Sequence, residues 1–149
     1  PKVPQGNGGL WKWVIDPEKP DYWRKALQWE SAAQMRYLHD FLAAIEWWRL
    51  EPAPELIRHQ PEVWTRRMVL ARIPARDQAV AYLPDNEWID VDLSAFSGPL
   101  SVRWFDPVLG RYDPVQGIAA SQGVERLTPP VKGEWVLVLG LQIPSGRKP

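Results

Sequence analysis

Between Trp88 and Leu93 the chain alternates strictly. Ile89, Val91 and Leu93 fall on one side and Trp88, Asp90 and Asp92 on the other, which is the period of a half-buried strand. Leu100, Val102 and Trp104 alternate with Ser101 and Arg103 in the same way, predicting a strand that ends near Phe105. The run Asp106-Pro107 then fixes one φ angle and removes a backbone donor. Gly110 supplies a residue free to take positive φ, so the chain is expected to turn back into a return strand from Arg111 to Val115. Asp106, Pro107 and Gly110 are therefore assigned to the architecture of that turn, and the simplest reading of Trp104 and Phe105 is core.

The same pattern continues on either side. Arg67 to Ile73 and Gln78 to Leu83 read as strands, the second ended by a Pro84-Asp85-Asn86 turn. Gly117 to Gln122 is weakly patterned, and Val124 to Leu127 is a brief strand. Glu134 to Leu141 has apolar residues on both faces and is expected to be central. Upstream the period is helical. Ser31 and Gln34 have capping-box spacing, and Leu38, Phe41, Leu42, Ile45 and Trp48 follow the i, i+3, i+4, i+7 rule up to about Leu50, where Pro52 and Pro54 stop the helix. Trp11, Trp13 and Ile15 form one side of a short strand behind a Gly-rich lead, which is expected to be the edge of a larger unit. The predicted fold is mostly β: an antiparallel β-sandwich of jelly-roll or immunoglobulin-like style, preceded by one long α-helix. Residues 1–52 carry the helix, 53–63 read as a linker, and 64–149 form the sandwich.

Composition narrows the function classes. Eighteen basic and eighteen acidic residues among 149 cancel, so no global field draws in nucleic acid or an anionic membrane, and neither is an expected partner. With no cysteine, thiol catalysis, thiolate metal sites and disulfides are excluded, although the compartment is not thereby decided. No run approaches the length of a membrane span. Ten tryptophans and sixteen prolines are more telling. Prolines spread from end to end suit a loop-rich β domain, and indoles stack on the apolar faces of sugar rings, although most of these indoles are expected to fill the core or a domain seam.

Candidate chemistry is correspondingly sparse. His39 and His59 have no partners at metal spacing, and no metal or cofactor is expected. The outward row Trp88, Asp90, Asp92 fits three descriptions: a carbohydrate platform with acceptors, a cation site, or a solvated face with one amphipathic indole. Trp11, Trp13, Trp88, Asp90, Asp92 and Trp104 are the candidate glycan-binding residues. Asp90 and Asp92 stand about 7 Å apart on one strand face, within the range of roughly 5–9.5 Å that a glycosidase pair requires, but nothing else marks them as catalytic.

Several motifs carry a family resemblance. Ser31-Ala-Ala-Gln-Met35, Trp47-Trp48-Arg-Leu-Glu-Pro52, Ala81-Tyr-Leu-Pro84, Val91-Asp-Leu93, Trp104-Phe-Asp-Pro107 with Gly110, and Gly133-Glu-Trp-Val-Leu-Val-Leu139 occur in that order. Together they resemble the C-terminal part of apiosidase-like glycoside hydrolases, where a (β/α)8 barrel is followed by a sandwich named the "putative collagen-binding domain of a collagenase". The resemblance covers roughly residues 30 to 140. It implies that the helix is the last of the barrel, that residues 1–52 are a barrel-terminal segment, and that the catalytic carboxylates belong to the barrel and not to this chain. The usual Pro-Gly before the helix is replaced here by Glu30-Ser31-Ala32.

The expectation is thus a non-catalytic accessory domain of a glycoside-hydrolase-like protein, secreted with a longer polysaccharide-degrading chain, that packs on and stabilises a catalytic barrel and contacts polysaccharide. An alternative makes the chain part of an active enzyme whose barrel is a separate chain, with Trp11 and Trp13 lining the cleft. A weaker one uses Leu38 to Trp48 as a helical protein-interaction module.

Overall fold

A computed structural model describes residues 24–25, 27–114, 117–119 and 122–140. Trp11 and Trp13 lie outside them. The chain divides into two compact units, Pro1–Arg36 and Tyr37–Pro149. Helix α1 spans Glu30–Ala44, so that its first residues belong to the first unit and the rest to the second.

The second unit is an antiparallel β body. Its strands are β1 (Glu51–Pro52), β2 (Val69–Ile73), β3 (Gln78–Asn86), β4 (Ile89–Asp92), β5 (Leu100–Asp106), β6 (Arg111–Tyr112), β7 (Gly117–Ala119), β8 (Val124–Leu127) and β9 (Gly133–Leu139). Seven of them form one sheet in the order β1-β2-β3-β9-β5-β6, with β7 also on β5, while β4 and β8 form a second, two-stranded sheet. Alternation decides what lies between the sheets. Ala79, Ala81 and Leu83 of β3, Leu100, Val102 and Trp104 of β5, and Trp135, Leu137 and Leu139 of β9 meet Ile89 and Val91 of β4 and Leu127 of β8 in one buried cluster. Burying that apolar surface is the main force holding the layers together.

The other face of the large sheet has a core of its own. Val136 and Val138 of β9 and Phe105 of β5 are buried against Phe41 of α1 and Ile45 just after it, with Tyr37, Leu42, Val80, Tyr82 and Tyr112 around them. Phe41 and Phe105 stack with centroids 4.7 Å apart. Strand β9, between β3 and β5, is therefore apolar on both faces, as a central strand should be.

Four local features differ from the sequence reading. The helix ends at Ala44, and Trp47–Arg49 form a separate 3-10 turn, because only Tyr37, Phe41 and Ile45 follow the i, i+4 row that faces the sheet. Leu38 and Trp48, expected on the buried stripe, lie off that row and are exposed. Strand β3 does not stop at Pro84. Its register with β9 steps from Leu83↔Trp135 to Asn86↔Gly133, so a bulge absorbs the proline, and Asp85 takes a φ of +54°. Residues 53–63, read as a linker, are built into the body: Ala53, Leu56 and Ile57 are core residues, and the Gln60 side chain bonds both Met68 N–H and Met68 C=O. Among the described residues no helix is long and apolar enough to cross a membrane.

Candidate functional site

Pairing of β4 with β8 sets the chemistry of the outward row. The register Asp90↔Arg126 puts guanidinium opposite carboxylate, and Arg126 Nε and Nη2 donate to Asp90 Oδ1 and Oδ2 at 2.8 Å each. This is the fork geometry in which such pairs are strongest. The same guanidinium lies 3.7 Å from the Trp88 ring centroid. On the far side of β4, a bridge between Ile57 and Val91 and the bond from Arg58 N–H to Asp90 C=O bring residues 57–59 alongside. Arg58 there pairs with Asp92, and the His59 ring lies 5.0 Å from Trp88 at 34°. The indole is thus in contact with a cation from one neighbour and an imidazole from the other.

Electrostatics agree with the geometry. Hydrogen bonds from Ser94 and then from Arg58 hold the Asp92 carboxyl down at about 2. The bond from Arg126 lowers Asp90, and the same bond raises Arg126. Both carboxylates are therefore ionised and paired. A glycosidase acid needs the opposite environment, one that keeps a carboxyl protonated near neutral pH. Among the described residues no three His, Cys, Asp or Glu side chains converge as a metal site would require.

The remaining candidates fall elsewhere. Trp104 is buried, edge-on to Trp135 with centroids 6.5 Å apart, inside the core between the sheets. It presents no open ring face. Asp106, Pro107 and Gly110 shape the β5–β6 turn: Asp106 Oδ1 accepts from Val108 N–H and Leu109 N–H at 2.9 Å each, and Gly110 N–H closes onto Asp106 C=O. Gly110 has φ +66°, and a Cβ there would run into the Tyr37 ring, so the turn and the helix touch through a glycine.

The indoles divide between the core and the surface of this chain. Of the tryptophans among the described residues, Trp104 and Trp135 are buried and Trp88 is half-buried, whereas Trp29, Trp47, Trp48 and Trp64 are exposed. Trp64, at 78% exposure, stands on a 3-10 turn, Trp64–Arg66, at the point where the pattern placed the start of the sandwich. Its one signal was an indole in a proline-rich segment without an apolar period around it.

Comparison with known proteins follows this geometry. Residues 52–140 match the family model described as "Putative collagen-binding domain of a collagenase". Among solved structures, one named "Glycoside hydrolase" aligns with a TM-score of 0.69 at 21% identity over 80% of this chain and 27% of that one. A glycoside hydrolase family 5 structure from Bacteroides vulgatus aligns with a TM-score of 0.69 at 20% identity, over 79% of this chain and 26% of its own. The chain thus spans about a quarter of the length of either structure. No curated protein gives a significant match.

Proposed function

The chain belongs to the family described as "Putative collagen-binding domain of a collagenase", and we propose that it is a non-catalytic accessory domain of a glycoside-hydrolase-like protein that packs on a catalytic barrel and stabilises it. Contact with glycan is its second role. One observation carries the first role: Leu38, Trp47 and Trp48 are 48%, 54% and 65% exposed. They stand on α1 and the turn after it, where large apolar side chains have no cover from the sheet. Exposed apolar groups gathered on one element suit a protein interface. That the chain corresponds to about a quarter of two glycoside hydrolase chains supports a barrel as the partner. The paired, ionised state of Asp90 and Asp92 supports a non-catalytic role.

The test is co-expression with a catalytic barrel from the same source. The expected result is co-purification and a barrel melting temperature several degrees higher, with kcat/KM unchanged. Leu38→Ser with Trp48→Ala should weaken both effects. A rise in kcat/KM without a gain in stability would replace this reading with the alternative, in which the chain completes the reaction cleft.

A further inference from the structure

Beside the salt-bridged row lies a cleft of about 210 Å³, between the loop carrying His59, Pro61 and Arg66 and the turn carrying Asn86, Glu87 and Trp88. Among the described residues Asn86 is the one buried polar side chain. Its Nδ2 donates to Arg66 C=O at 3.2 Å, which fixes the orientation of the amide, yet its Oδ1 has no donor among the described residues. Asn86 lines the cleft, and a buried acceptor without a donor is a feature that a ligand hydroxyl can complete once a small side-chain shift admits it. Arg66 spends Nε and Nη2 on Asp85 C=O, leaving Nη1 to donate.

The charges at this place are already balanced. Arg66 is paired with Asp85 at 3.5 Å and Glu87 with Lys132 at 3.3 Å. A free anion or cation therefore finds no uncompensated partner. A group that both donates and accepts finds both: guanidinium on one side, amide oxygen and carboxylate on the other. Apolar flanks come from Pro61, Met68 and the indole of Trp88. The volume is below the range of roughly 300–1,000 Å³ that holds a drug-sized molecule, so one ring fits and an oligosaccharide does not. Trp64, on the same 3-10 turn as Arg66 of the cleft lining, is 78% exposed, which leaves its indole able to stack on a further ring.

We infer that this cleft is a binding subsite for one residue of a neutral polysaccharide, with the Asn86 amide oxygen and Glu87 as acceptors, Arg66 as donor, and Trp64 as a platform for the adjoining sugar. The placement rests on the glycan role proposed above and makes it local. It moves that role from the open face of Trp88, which Arg126 and His59 already engage, to the cleft that the indole walls.

The experiment is an NMR titration of the whole chain, reading indole N–H signals, with cellotetraose, xylotetraose and, separately, inorganic sulfate. The Trp64 and Trp88 signals should shift with a saccharide at millimolar concentration and not with sulfate. Glu87→Ala and Trp64→Ala, both at exposed positions that the fold tolerates, should each weaken binding by about tenfold, while Ile118→Ala on β7 should not. Saccharide binding that both cleft variants leave unchanged would overturn the cleft while keeping the glycan role. No saccharide shift at all would overturn both, and a shift with sulfate alone would overturn the neutral ligand.

Discussion

Tyr112 sits where α1, β5 and β6 meet, its ring 5.1 Å from Phe105 and 6.5 Å from Phe41, with the Arg103 guanidinium 4.3 Å over it. Its hydroxyl is buried and has no partner among the described residues. Burial pushes its pKa up to about 12, against the opposing pull of Arg103. A folded-state value above the unfolded one, near 10, means that this contribution is fully present below pH 10 and is lost as pH rises through 12. Separately from this linkage, Tyr112→Phe should stabilise the protein by about 1 kcal/mol at pH 7, because it removes a buried hydroxyl without a partner among the described residues. It should also make the alkaline decline between pH 10 and 12 shallower, leaving the share due to Tyr82, whose pKa burial and Glu134 likewise raise. Urea titrations across that range check both. Asp92 gives the opposite limb: held down at about 2, it supports folding above the ordinary carboxylate value and loses that support as pH falls through 2. Asp92→Asn should lower stability at pH 6 and flatten the acid decline between pH 4 and 2, measured by the same titrations. At this scale little was legible beforehand. The pattern showed that Asp90 and Asp92 point outward, but their partners Arg126 and Arg58 lie 36 and 34 residues away, and only strand register brings them together.

The turn after β5 is where sequence and element agree most closely, because its constraints are local. Asp106 caps two backbone N–H groups, Pro107 follows, and Gly110 reverses the chain at positive φ. What local sequence does not reveal is that the same glycine is the contact with Tyr37. Gly110→Ala combines left-handed strain with an overlap on an aromatic ring, and is expected to cost about 2–3 kcal/mol, read as a lower denaturation midpoint with unchanged slope. Gly123, also at positive φ but with open space around its Cβ position, should lose only the strain, about 1 kcal/mol. Strands were legible by the same logic wherever burial is one-sided: Ile89 and Val91 are buried and Asp90 is not. Strand β3 was cut short at Pro84 because a proline inside a ladder reads as a stop. The bulge that rescues it depends on β9 slipping by one residue, a non-local event. The helix was drawn too long for a related reason. Its apolar residues cover more than one face, and only the sheet selects Tyr37, Phe41 and Ile45.

On the scale of the molecule, β9 belongs to two cores at once, since Trp135, Leu137 and Leu139 face β4 and β8 while Val136 and Val138 face the helix. The layers of the second unit therefore cannot be independent. If α1 were only a connector to another domain, removing it would leave the strands intact. In this fold it covers Phe105, Val136 and Val138, which would otherwise be an apolar patch on a sheet face. Phe41 and Ile45 alone bring about 3–6 kcal/mol of burial, at roughly 1.5–3 kcal/mol each, a large part of the 5–15 kcal/mol that a domain of this size has. A chain begun at Glu30, the first residue of α1, is the reference for one that lacks the helix. A chain begun at Ala53 retains all nine strands but β1, and should unfold at least 3 kcal/mol more easily or aggregate through the uncovered face, as calorimetry and size-exclusion chromatography would show. Should the shorter chain prove as stable as the longer, the helix would be a passenger, and the case for its outer residues Leu38, Trp47 and Trp48 as a barrel-docking surface would rest on exposure alone. If instead the loss appears, the helix is part of the second unit's core through Phe41, and Leu38, outside that contact, is left exposed for the partner proposed above.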